Sequence, residues 1–127
     1  MSKTPKSPLF FLYHIKESIE AIAIHIQEGK QSFLTNRTVT MAVIRELEII
    51  GEAVNKLPDE FKNQYPLVPW RDIGDFRNVL AHHYWGIDLE TVWNIIHNPD
   101  KLPDLKNQVE TCIQDWLCCM NKKKTED

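Results

Sequence analysis

No stretch of this sequence alternates apolar and polar residues with a period of two, so nothing in it reads as a half-buried β-strand. No unit recurs at a fixed spacing, which excludes architectures built by stacking repeats. Glycine is scarce, with four residues, and the seven prolines fall at apparent boundaries rather than inside periodic segments. Long apolar runs are missing too. Behind the start "MSKTPKSP" the apolar stretch is interrupted by His14, Lys16, Glu17 and Glu20, so the expectation is neither a signal peptide nor a membrane span but a soluble, cytoplasmic protein.

Cysteine is limited to Cys112, Cys118 and Cys119, an odd count without CxxC pairing. That argues against a disulfide framework and against a zinc site, and leaves free thiols in a reducing compartment. The net charge is −3 with a pI near 5.9, so the chain lacks the global basic field that many nucleic-acid binders carry. Any contact with nucleic acid must come from a local cluster.

What is present is helical periodicity over 127 residues, read as one domain, 1–127, with flexible ends at 1–6 and 121–127. Ser7 and Pro8 suit a helix start, with the hydroxyl as cap, and Leu12, Ile15, Ile19, Ile22 and Ile26 form one stripe that Gly29 closes. After the polar stretch "KQSFLTN", a second helix runs from Arg37 to Leu57 along Val43, Leu47, Ile50, Val54 and Leu57. Gly51 sits beside that stripe, where it costs about 1 kcal/mol against alanine unless another backbone approaches closely.

One short helical turn and a proline-rich connector lead to a third helix, "PWRDIGDFRNVLAHH". Asp88 caps a fourth, which carries Leu89, Val92, Trp93 and Ile96. A last helix spans about Pro103 to Met120, with Leu105, Val109, Cys112, Trp116 and Cys119 inward. The fold class is all-α, a bundle of about five helices, four of them substantial.

The chemistry concentrates in "RNVLAHHYWG", residues 77 to 86. Ile73, Arg77 and Leu80 fall at steps of four and three, so a guanidinium shares the stripe that faces the core or a partner. A buried charge of this kind needs a counter-ion or a purpose. On a continuous helix His82 lies about 140° and about 7.5 Å from Arg77. The two groups meet only if the helix ends near Ala81 or if a second subunit supplies the complement.

Such a pair suits metal-independent cleavage of RNA, with the imidazole taking the 2′-hydroxyl proton and the guanidinium fork holding the phosphate. The plainer alternative pairs Arg77 with Asp72, Asp75 or a glutamate of the second helix and leaves the histidines to cap a helix end. Spacing alone leaves both open.

Residues 47 to 96, "LEIIGEAVNKLPDEFKNQYPLVPWRDIGDFRNVLAHHYWGIDLETVWNII", resemble the HepT toxins of the HEPN superfamily, and the helical order extends the likeness over nearly the whole chain. The family signature is arginine, four to six residues, histidine, any residue, tyrosine, which here is Arg77, "NVLA", His82, His83 and Tyr84. The resemblance implies an all-α homodimer, or a higher assembly, in which two motifs meet at a cleft and cleave RNA without a metal or other cofactor. Arg77 would stabilise the phosphate, Asn78 would help to orient it, and His82 would act as base or acid.

The resemblance also implies a partner, a small MntA-type nucleotidyltransferase antitoxin that uses ATP to place AMP on Tyr84. The added phosphate charge would block RNA entry. Many relatives have glycine where this chain has His83, so His83 is either a supporting imidazole or an outward-facing substitution. Trp85 could stack on a base or simply pack. His14 and His25 lack the companions of a metal site, His97 belongs with its own helix end, and the lysines at 122–124 read as solvated charge. Glu48 and Glu52, beside Lys56, read as a surface ladder. A non-catalytic nucleotide- or RNA-binding module, the substrate-holding subunit of a nucleotidyltransferase, and a structural dimerisation bundle are the competing classes.

Overall fold

The computed structural model describes the backbone of residues 7–125, with the side chains of Tyr84 and 121–125 left aside. The expectation for residues 1–6 lies outside the described residues. Among those described there is no strand, and the order is α1 (Pro8–His25), α2 (Lys30–Thr35), α3 (Arg37–Lys56), α4 (Asp59–Asn63), α5 (Trp70–His82), a 3-10 turn (Tyr84–Gly86), α6 (Leu89–His97) and α7 (Leu102–Thr125). The all-α reading therefore holds. Two short helices, α2 and α4, accompany five longer ones.

Each helix starts for a local reason. Pro8 sits in the first turn of α1 after Ser7, although the Ser7 hydroxyl makes no cap hydrogen bond. Asn36 caps α3 by accepting from the amides of Thr38 and Val39, at 3.0 and 3.4 Å. Asp88 caps α6 in the same way, accepting from the Glu90 amide and from the Thr91 hydroxyl, both at 3.0 Å.

Between α1 and α2 the chain reverses at Gly29, whose φ of 96° lies in the left-handed region where a side chain is strained. The α1 helix stops at His25, before the Gly29 end expected from sequence. The segment "KQSFLTN", read as a polar connector, is helical instead because Phe33 is fully buried and drives α2 onto α3 and α6. The Thr40 hydroxyl donates to the Phe33 carbonyl and ties the two helices together.

Central to the bundle is α3, packed against α1 on one side and α5 on the other. Its buried residues Val43, Ile44, Leu47, Ile50 and Val54 meet Leu12, Ile15, Ile19 and Ile22 of α1. α7 lies against α1 and α6. Leu105, Val109, Cys112 and Ile113 of α7 are buried, each aliphatic side chain worth about 1.5–3 kcal/mol relative to exposure.

Cys119, expected inward, is exposed, and Trp116 is only partly covered, because the core ends about one turn beyond Cys112. The α7 backbone continues past the expected Met120 end to Thr125. A separate aromatic cluster fixes the connector before α5. Phe61 packs among Tyr65, Trp70 and Trp116, with tilted or edge-on rings 5.2, 6.1 and 6.4 Å apart, the Trp70 indole donates to the Tyr65 carbonyl, and the Tyr65 hydroxyl donates to Asp115. That cluster sets where α5 begins and hence where its far end points.

Candidate active site

The α5 helix runs unbroken through His82, which excludes the early end near Ala81 that would have folded His82 back onto Arg77. His83 is the C-cap residue, its amide donating to the Val79 carbonyl at 2.9 Å. Its own carbonyl accepts from the Gly86 amide and closes the 3-10 turn. Within one chain, helical geometry thus turns Arg77 and His82 about 140° apart. Leu80, beside Arg77 on the inner stripe, is 1% exposed and pins this part of α5 to the core.

Arg77 owes its position to a glycine. A β-carbon at Gly51 would collide with Cβ of Arg77 and come within 3.3 Å of the Ile73 carbonyl oxygen. The close approach expected at Gly51 is therefore present, and what approaches is the motif arginine. One turn earlier on α5, Gly74 does the converse, because a β-carbon there would strike the Asn55 amide of α3. The two helices interlock at both points.

The guanidinium is held from two sides. Nη2 lies 3.5 Å from Oε1 of Glu52, and Nη1 donates to Oδ1 of Asn78 at 3.3 Å. Nε is buried without a hydrogen-bond partner. The side chain stays 32% exposed, so this group is neither sealed in the core nor free on the surface. The exposed part of this tethered cation can meet an anion with several acceptor oxygens, and the buried Nε reaches one only if the side chain shifts.

Asn78, His82 and His83 are all exposed, with Asn78 and His82 one helical turn apart on the same face. The outward reading of His83 agrees with that exposure. Trp85 is 85% exposed, which excludes the reading that it packs within its own chain. Val79, on the same end of α5, is 45% exposed. The Tyr84 side chain, the expected AMP acceptor, lies outside the described residues.

Two expectations about charge need correction. Glu48 and Glu52 do not form a ladder with Lys56. They meet Arg45 instead, at 3.1 and 3.4 Å, and Glu52 also reaches across to Arg77. Sequence reasoning allowed a glutamate of this helix as the counter-ion but missed Arg45, although Arg45, Glu48 and Glu52 fall at steps of three and four. Asp75 pairs with Arg71 rather than Arg77.

Of the remaining histidines His25 is exposed at the end of α1, and the other two have aromatic neighbours. His14 meets Phe10 edge-on at 4.6 Å and His97 stacks on Trp93 at 5.1 Å. Among the described residues no group of three or more His, Cys, Asp and Glu is placed to hold a metal ion, and no helix is long and apolar enough to cross a membrane.

A groove of about 540 Å³ opens elsewhere, between the first half of α5 and the start of α7, lined by Leu47, Ile73, Phe76, Ile95 and Leu105. Neither Arg77 nor His82 lines it. Arg77 and His82 therefore lie outside that groove.

A half-tethered arginine and an exposed histidine thus lie on one helix of an all-α bundle, and comparison with known proteins gives its family. The family model described as "Ribonuclease HepT-like" matches residues 15–112, and the chain belongs to that family. It is 42% identical over 106 residues to a candidate RNase of Methanocaldococcus jannaschii, covering 83% of this chain and 86% of the relative. A candidate RNase of Caldanaerobacter subterraneus subsp. tengcongensis is 34% identical, with 86% of this chain and 96% of the relative covered. A candidate ribonuclease HepT of Thermococcus cleftensis is 38% identical, with 79% and 90% covered. No solved structure gives a significant match.

Proposed function

We propose that this chain is a metal-independent endoribonuclease toxin whose active site is a cleft shared by two protomers, each contributing Arg77 and His82. The observation that carries the reading is Arg77: a guanidinium seated over Gly51, tethered by Glu52 and Asn78, with one donor unsatisfied. Membership in a ribonuclease family supports RNA as the ligand that meets it.

In this reading one His82 imidazole removes the proton from an RNA 2′-hydroxyl, and the oxygen attacks the adjacent phosphorus. The bond from phosphorus to the 5′-oxygen breaks, the second His82 returns a proton to that oxygen, and a 2′,3′-cyclic phosphate and a free 5′-hydroxyl result. Arg77 neutralises the charge that builds on the non-bridging oxygens, and Asn78 orients the fork. A shared cleft removes the difficulty that the two groups diverge on a single α5.

Regulation follows the same chemistry. A cognate nucleotidyltransferase antitoxin joins the Tyr84 hydroxyl oxygen to the α-phosphorus of ATP, with pyrophosphate leaving. The new phosphate lies two residues from His82 and repels the RNA backbone.

Incubation of the purified protein with RNA in excess chelator tests the enzymatic core. Cleavage leaving cyclic ends is expected, and His82→Ala is expected to lower its rate by about 10²–10⁴-fold. RNA bound but left intact by the unaltered protein would replace this reading with that of a non-catalytic binding module. After co-expression with the nucleotidyltransferase, intact mass should rise by AMP increments that vanish in Tyr84→Phe.

A further inference from the structure

Arg45, Glu48 and Glu52 form one stripe on α3, and Arg77 crosses to it from α5 over Gly51. Both guanidinium groups address the same atom: Oε1 of Glu52 lies 3.4 Å from Nη1 of Arg45 and 3.5 Å from Nη2 of Arg77. Charge-assisted pairs close at about 2.7–2.9 Å, so neither of these is tight. The Arg45 side chain is 58% exposed, and its other partner is Glu48 at 3.1 Å. Exposed pairs of this kind contribute little stability and exchange readily.

The chain carries a net charge of −3, so it offers an RNA backbone no general attraction, and local cations must supply it. One carboxylate oxygen between two arginine forks sets those forks a short span apart. A single strand of RNA presents successive phosphates, each with two free oxygens, and both loosely paired arginine side chains are partly exposed to meet them. Resting on the ribonuclease reading above, we infer that Arg45 is a second phosphate contact of the RNA site, engaging the phosphate next to the one held by Arg77. Glu52 and Glu48 occupy the two arginines until RNA displaces them.

Counterion release provides the test, because each phosphate contact on single-stranded nucleic acid contributes about 0.7 to the slope of log affinity against log salt. A labelled oligoribonucleotide is titrated over a potassium chloride series in a His82→Ala background, which binds without cutting. Adding Arg45→Gln should weaken binding and lower the slope by about 0.7, and Arg45→Lys should restore the slope. Glu48→Gln frees Arg45 without touching Arg77 and should tighten binding at low salt.

Arg37→Gln removes the same charge from the same helix about 12 Å away and should leave the slope unchanged. Thermal melts that match the parent exclude a folding effect, as the exposure of Arg45 leads one to expect. An unchanged slope and affinity in Arg45→Gln overturns this inference alone. A parent that binds no RNA at any salt overturns the ribonuclease reading and this one with it.

Discussion

Arg77 occupies a register position that hydrophobic periodicity assigns to the core, and Gly51 is what lets it stay there. Alanine at 51 would press a methyl group into Cβ of Arg77, with the Ile73 carbonyl close behind. Overpacking of this sort costs about 1–3 kcal/mol and displaces backbone. Gly51→Ala should therefore lower the urea midpoint and, on the proposed mechanism, reduce RNA cleavage more than folded fraction explains, measured at a temperature where the variant is fully native.

Both residues stand out in the sequence, the glycine for costing helix stability and the arginine for sharing an apolar stripe. Their contact does not, because it depends on how α5 crosses α3.

Cys112 gives a second prediction at this scale. It is fully buried, and burial, with the nearby Asp115 charge, pushes its thiol up to about 11 from about 9. The neutral form is thus favoured in the folded state. Its contribution is complete below pH 9 and disappears as pH rises through 11, on the order of 3 kcal/mol in all. Tyr65 is raised in the same direction by burial and by its hydrogen bond to Asp115, so its loss lies further into alkali. Urea midpoints at pH 8 and pH 10.5 should differ, and Cys112→Ala should flatten the difference.

Among the helices, the long ones were legible because their stripes run for several turns and their caps are sequence-local. Asp88 caps as expected, Ser7 does not use its hydroxyl, and the Asn36 cap was not read from the sequence. The short α2 was not, since a single buried Phe33 among polar neighbours shows no periodicity. The end of α5 was read as either of two geometries, and continuous hydrogen bonding through His82 decided it. Asp88→Ala removes acceptors from both the Glu90 amide and the Thr91 hydroxyl and should cost about 0.5–2 kcal/mol, seen as a lower melting temperature. Cleavage by the native fraction should be unaffected, since α6 carries none of the motif.

The molecule leaves Arg77 partly exposed and His82 exposed, and the groove of about 540 Å³ is lined by other residues. Trp85, 85% exposed beside the motif, is the kind of side chain a second subunit or an RNA base would cover. If the cleft uses both His82 imidazoles, one inactive protomer should disable a mixed dimer. Unaltered protein re-annealed with an equal amount of His82→Ala should keep about half its activity, because about half the dimers are then mixed and only the unaltered pairs cleave. Activity undiminished by the mixing would show a site confined to one chain. The helical class and the family were legible in the sequence, but the proposed cleft between two copies would leave no mark on the periodicity of one.

The reciprocal glycines at 51 and 74 have a mechanical meaning. Each is a socket filled by a side chain of the opposite helix, Arg77 in one and Asn55 in the other, so α3 and α5 are doweled together at two heights. Translation of one rod along the other is blocked in both directions. If RNA is admitted at a shared cleft as proposed, room for it comes from subunits pivoting apart or from the Tyr84–Gly86 turn giving way, with α5 travelling as rigid freight on the bundle.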